Sequence, residues 1–144
     1  MKKAFILILV FPLIIGACIK DESEPFEGAW KRVYSKYPSM EESFPAQITG
    51  SGVKVWTKGG FAFAGEYQLD TVKIDAYGWG TYKISEGIRY EESMIFHHTN
   101  PRLNGQTLKM HLELRNDTLI QSWPADEDWN LEEDFYVEKY IRLK

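Results

Sequence analysis

Near the C-terminus Tyr136, Glu138, Tyr140 and Arg142 recur at every second position, and Tyr90, Glu92, Met94 and Phe96 do the same in the middle of the chain. A period of two is the strand repeat, in which alternate side chains share one face. Aromatic rings, carboxylates and a guanidinium on one inward face can hold an amphipathic molecule. The rings take its apolar part, and the hydroxyls and charges take its polar groups. Tyr82 joins this set from a neighbouring run. A glutamate buried there needs a partner, such as Arg142 or a tyrosine hydroxyl. The other reading of the same residues is a closed interior that they fill and fasten without a ligand.

Other reactive side chains offer less. Consecutive strand residues point to opposite faces, so His97 and His98 do not converge on one metal, and both read as an exposed strand end. His111 lies out of phase with Leu108, Met110 and Leu112 and reads as solvated. Asp126-Glu127-Asp128 and Glu132-Glu133-Asp134 lack the ordered spacing of a calcium loop and read as an acidic rim. A filled barrel with an exposed aromatic patch around Trp123 and Trp129 would favour the alternative, a surface for a protein or glycan partner on the envelope. The sequence carries no nucleophile elbow, zinc-protease helix, phosphate loop or dinucleotide fingerprint. The expectation is therefore a binding or interaction protein, not an enzyme, with no cofactor and no metal.

The elements that must position these residues are short and alternate. Eight strands are predicted, at 28–36, 53–58, 61–67, 79–85, 88–97, 107–114, 118–123 and 135–143. Gly59-Gly60, Glu86-Gly87 and Asn116-Asp117 make tight turns between them, and residues 68–78 form a less regular stretch. The single helix signal, Ser39 to Phe44, is bounded by Pro38 and Pro45. Consecutive strands with hairpin links predict an all-β fold: an eight-stranded up-and-down antiparallel barrel occupying residues 26–144. Closure of this kind removes exposed strand edges.

The N-terminus has a different character. Lys2-Lys3 precede an apolar run from Ala4 to Ile15, which is too short for the roughly 20 residues that span a bilayer. It suits the apolar core of a signal peptide covering residues 1–17. Cys18 is the only cysteine, so the chain offers it no disulfide partner. Ile15-Gly16-Ala17-Cys18 resembles the lipobox at which bacterial lipoproteins are cleaved and lipidated. That resemblance implies palmitate-bearing Cys18, a tether over 18–25, and anchorage to the cell outer membrane. Lys20-Asp21-Glu22 is similar to the surface-export signal of Bacteroidetes lipoproteins; an acidic spacer accounts for it equally, so the periplasmic and surface faces both stay open.

The chain has 144 residues and a formal charge of −4. Loss of Lys2 and Lys3 on cleavage takes Lys+Arg from 17 to 15 against 21 Asp+Glu, a mature charge of −6. With no basic cluster to offset this, nucleic acid is excluded as a partner. The expected partners are the membrane, through the lipid anchor, and a small apolar or amphipathic ligand, with the protein itself a monomer.

Gly28-Ala29-Trp30 at the start of the first strand resembles the Gly-x-Trp signature of lipocalins, and Arg142 stands where those barrels carry a C-terminal arginine. The resemblance implies that Gly28, Trp30 and Arg142 plug one barrel end, the guanidinium lying over the indole. A broader resemblance, to small Bacteroidetes lipocalin-like domains of unknown function, runs through Trp56-Thr57-Lys58, Phe61-Ala62-Phe63, Gly78-Trp79-Gly80-Thr81-Tyr82, Tyr90-Glu91-Glu92, Asn100-Pro101, Leu103 to Gly105 and Glu138 to Arg142. Trp79 replaces a glycine common in such domains, which suggests an altered barrel mouth.

Overall fold

The computed structural model describes residues 24–36, 52–69 and 72–144. The segment read as a signal peptide, Cys18, most of the expected tether and the Ser39–Phe44 helix signal lie outside the described residues. Eight strands run in order: β1 (Gly28–Lys36), β2 (Val53–Thr57), β3 (Gly60–Leu69), β4 (Val72–Ile84), β5 (Arg89–His97), β6 (Thr107–Arg115), β7 (Thr118–Ala125) and β8 (Leu131–Arg142). A single 3-10 turn, Pro101–Leu103, sits between β5 and β6. Each strand pairs antiparallel with the next, and β8 closes on β1, so the sheet is a closed up-and-down barrel, as the alternation predicts.

Within the stretch expected to be irregular, residues 68–69 and 72–78 belong instead to the long strands β3 and β4, whose register runs from Gly60↔Thr81 to Leu69↔Val72. The strand signal is weak there because polar Lys73 and Asp75 alternate with only Ile74 and Ala76. Strand β8 likewise begins at Leu131, ahead of the expected Phe135.

The interior is aromatic. Trp30, Trp56, Phe61, Tyr82, Tyr90 and Tyr140 are buried together with Met94, Met110, Leu112 and Leu119. So many rings fit because β4 supplies glycines beneath them. A Cβ on Gly80 would lie 2.9 Å from the Phe61 ring and 2.2 Å from the Ser93 carbonyl, and one on Gly78 would lie 2.7 Å from the Phe63 ring. The absent side chains are the space the two phenylalanines occupy.

A β-bulge decides which residues reach that interior. The β4–β5 register shifts between Trp79 and Gly80: Gly80 faces Met94, but Trp79 faces Phe96, leaving Ile95 as the extra residue. A one-residue insertion turns every later side chain to the other face. Phe96 therefore leaves the inward set predicted for it and stacks on the exposed Trp79, ring centroids 4.6 Å apart. His97 turns inward against Phe63 at 5.2 Å, so it is no exposed strand end. Trp79 points outward and does not alter the barrel mouth.

Candidate functional site

One barrel end is sealed by the segment before β1. Phe26 inserts into the core, edge-on to Trp56, Tyr82 and Tyr90, with centroids 5.5–6.3 Å away. Trp30, 1% exposed, donates its indole N–H to the Phe26 carbonyl at 2.7 Å. The Arg142 guanidinium lies 4.2 Å from the Trp30 ring centroid. It also donates to the Glu27 carbonyl at 2.7 Å and to the Pro25 carbonyl. Gly28, at φ +126°, is what lets Arg142 come so close: a Cβ there would stand 2.8 Å from Nη1. Gly28, Trp30 and Arg142 thus meet as one plug.

A buried polar network crosses the middle of the barrel. One Glu92 oxygen accepts hydrogen bonds from Lys54 Nζ, from the Tyr90 hydroxyl at 2.8 Å and from Gln121 Nε2 at 3.0 Å. Lys54 also donates to Gln121 Oε1 at 3.1 Å and sits 4.8 Å and 4.7 Å from the Trp56 and Phe61 ring centroids. Trp56 donates its indole N–H to the Tyr90 oxygen at 2.8 Å. Burial holds the Tyr90 hydroxyl well above the ordinary phenol value, and the Glu92 charge adds to this.

A second polar group lies on β1 and β8. Arg32 Nη1 donates to Glu138 Oε1 at 2.7 Å, and the Tyr140 hydroxyl donates to the other Glu138 oxygen. Burial first, and the Glu138 charge second, raise Tyr140 well above the phenol range. Beside them Ser35, paired in register with Glu138, is 2% exposed, and its hydroxyl has no hydrogen-bond partner among the described residues. Towards the mouth, Tyr136 stacks on Trp123 at 5.2 Å.

The predicted site residues therefore divide. Tyr82, Tyr90, Glu92 and Met94 are buried in the core, and the Tyr82 hydroxyl donates to Glu27 at 3.2 Å. Glu138 and Tyr140 share the second group, Tyr136 stacks on Trp123, and Phe96 lies outside. Lys54, Gln121 and Arg32 escaped the sequence reading. Their only signal is phase: Lys54 is two residues from Trp56, Gln121 two from Leu119, and Arg32 two from Trp30. The Trp123–Trp129 patch that would favour the interaction alternative does not form, because Trp123 packs against the core. Trp129 lies over the outer face, within 5.8 Å of Arg89 and 5.5 Å of Lys109. His111 is half-buried and bonds the Trp129 carbonyl at 2.7 Å rather than being solvated.

Residues 25–144 match the family model of a domain of unknown function, DUF4488. The chain belongs to that family. No curated protein matches it. A closed eight-stranded barrel of this length fits a small lipocalin-like domain.

The DUF4488 barrel also has a titratable group at its mouth. His97 is held below its ordinary value of 6.5, chiefly by burial and then by the neighbouring His98. Its Nδ1 accepts the Asn100 N–H at 3.1 Å, an arrangement for neutral imidazole. A base with a depressed folded pKa contributes stability above its unfolded pKa and loses it as pH falls through the folded one. Thermal midpoints should therefore drop below about pH 6.5, and His97→Gln should flatten that slope relative to wild type. Parallel melting curves between pH 8 and 5 check this, and an unchanged slope in the variant rejects the assignment.

Proposed function

We propose that the protein is a lipid-anchored envelope barrel that binds one small amphipathic ligand in its mouth half and catalyses no reaction. The Ser35 hydroxyl carries this reading. A buried hydroxyl left without a partner among the described residues costs about 1–3 kcal/mol, and the polar group of a bound molecule would remove that cost. Ser35 stands beside the Arg32–Glu138 pair, so a ligand's polar end meets a donor, an acceptor and a cation there. Phe63, Trp123 and Tyr136 offer apolar surface for the remainder. The plug half is no rival location, since the Tyr82 and Tyr90 hydroxyls there already have partners.

Anchorage rests on the lone Cys18 after its apolar run. Acyl chains contribute about 0.8 kcal/mol per buried CH₂, and more than one chain is needed for durable attachment. One experiment in the native host tests both parts. Wild type, Cys18→Ala, Ser35→Ala and Arg32→Met are fractionated, labelled with palmitate and examined by native mass spectrometry. Wild type is expected in the membrane fraction with a small-molecule adduct. Cys18→Ala should lose the label, and Ser35→Ala and Arg32→Met should lose most of the adduct. Ligand-free Ser35→Ala should be no less stable than wild type, because it removes an unsatisfied group. Wild type without an adduct, or adduct retained by Ser35→Ala and Arg32→Met, rejects the ligand site; unchanged labelling in Cys18→Ala rejects the anchor.

A further inference from the structure

The bulge that expels Phe96 builds something on the outside of the barrel. Tyr77, Trp79, Phe96 and His98 stand together on the outer face of β4 and β5. Trp79 stacks on Phe96 at 4.6 Å and 22°, and Tyr77 stacks on His98 at 4.4 Å and 13°. Tyr77 and Trp79 nevertheless stay 42% and 45% exposed. Phe96 and His98 back them from the β5 side, so their other ring faces turn towards β3. There the register places Ala64 opposite Tyr77 and Ala62 opposite Trp79. Two methyl groups in place of larger side chains leave a trench along β3. Val53 flanks its far side beside Ala64, and the open depression next to Tyr77 has a volume of about 450 Å³.

The trench ends in polar groups. Glu66 and Asp75 face each other across β3 and β4 and line the same depression. Lys73 bonds Glu66 at 2.9 Å and fixes one of those carboxylates.

The geometry points to a second binding site, in which this trench takes a neutral glycan with Tyr77 and Trp79 as stacking platforms and Glu66 and Asp75 as hydroxyl acceptors. The chemistry matches on both counts. One face of a sugar ring presents polarised C–H bonds, which suit the negative face of an aromatic ring. Its rim presents hydroxyls, and a carboxylate accepts from these with charge-assisted strength. The two platforms lie at i and i+2 of one strand, roughly 7 Å apart, so the contact extends over more than one ring of an extended chain. An acidic glycan or peptide fits poorly, because two carboxylates line the trench and the chain carries a net −4 charge. Planar aromatic walls backed by a second ring layer are already ordered, so little entropy is lost on binding.

Affinity electrophoresis tests this, in native gels cast with α-glucan, β-glucan, mannan or xylan, and with polygalacturonate as the acidic control. Slowed migration is expected in at least one neutral gel. Tyr77→Ala/Trp79→Ala should weaken it at least tenfold, and so should Glu66→Gln/Asp75→Asn. Ser35→Ala, which touches only the interior, should migrate as wild type does, which separates this site from the proposed ligand pocket. Near-ultraviolet circular dichroism confirms that the surface variants keep the fold. Unchanged mobility in all four neutral gels, retardation that survives both double variants, or retardation by polygalacturonate alone overturns the proposal. A dimer in light scattering that Trp79→Ala dissolves overturns it too, since the trench then seats a second copy of the chain.

Discussion

Trp30→Ala is expected to lower the unfolding free energy by about 3–5 kcal/mol, the range for truncating a buried aromatic ring. Trp30 is 1% exposed, and three contacts depend on it: the ring under Arg142, the hydrogen bond to Phe26, and the packing that keeps Phe26 against Tyr82 and Trp56. Trp30→Phe separates these. It keeps a ring but leaves the Phe26 carbonyl without its donor, an expected cost of about 1–3 kcal/mol. Arg142→Lys should cost less than either, because the ammonium keeps the charge but loses the planar fork that reaches two carbonyls. Urea midpoints for the three variants give the ranking. A Trp30→Ala cost below about 1 kcal/mol would mean that the plug does not hold this end of the barrel.

This end of the molecule was legible in the sequence because its parts are local and repeat a pattern. Glycine, tryptophan and a terminal arginine fall where paired first and last strands bring them together. The eight strands were legible for a similar reason: alternation and tight turns are written in neighbouring residues. The bulge at Ile95 was not. Nothing in Met94-Ile95-Phe96-His97 marks an extra residue, since Ile95 is as apolar as its neighbours. The insertion exists because Gly80 lets the β5 backbone approach, its missing Cβ lying 2.2 Å from the Ser93 carbonyl. That is information held by another strand. Strict period two therefore carried Phe96 inside and left His97 outside, and the one shift reversed both.

The central network was hidden in another way. Lys54 sits in Val53-Lys54-Val55-Trp56, where the valines suggest the buried face and the lysine the solvent. The structure inverts this: Lys54 and Trp56 point in, and Val53 and Val55 point out, half-buried. A lysine enters a barrel only where a carboxylate waits for it, and Glu92 lies 38 residues away on a strand that does not adjoin β2. Pairing across the barrel lumen leaves no trace in local periodicity.

That pairing makes a strong and asymmetric prediction. Glu92→Leu should cost about 3–5 kcal/mol, because it strands the Lys54 ammonium between the Trp56 and Phe61 rings with only Gln121 as acceptor. Lys54→Met should cost less. Glu92 keeps two donors in that variant, the Tyr90 hydroxyl and the Gln121 amide, and the methionine side chain refills most of the volume. The double variant Lys54→Met/Glu92→Leu should recover most of what Glu92→Leu loses, since two buried charges are exchanged for two apolar side chains of similar size. Urea unfolding of the four proteins closes a double-mutant cycle, and the coupling is expected to exceed about 1.5 kcal/mol. If the double variant loses the simple sum of the two single costs, the side chains act independently, and the barrel centre is held by its rings alone.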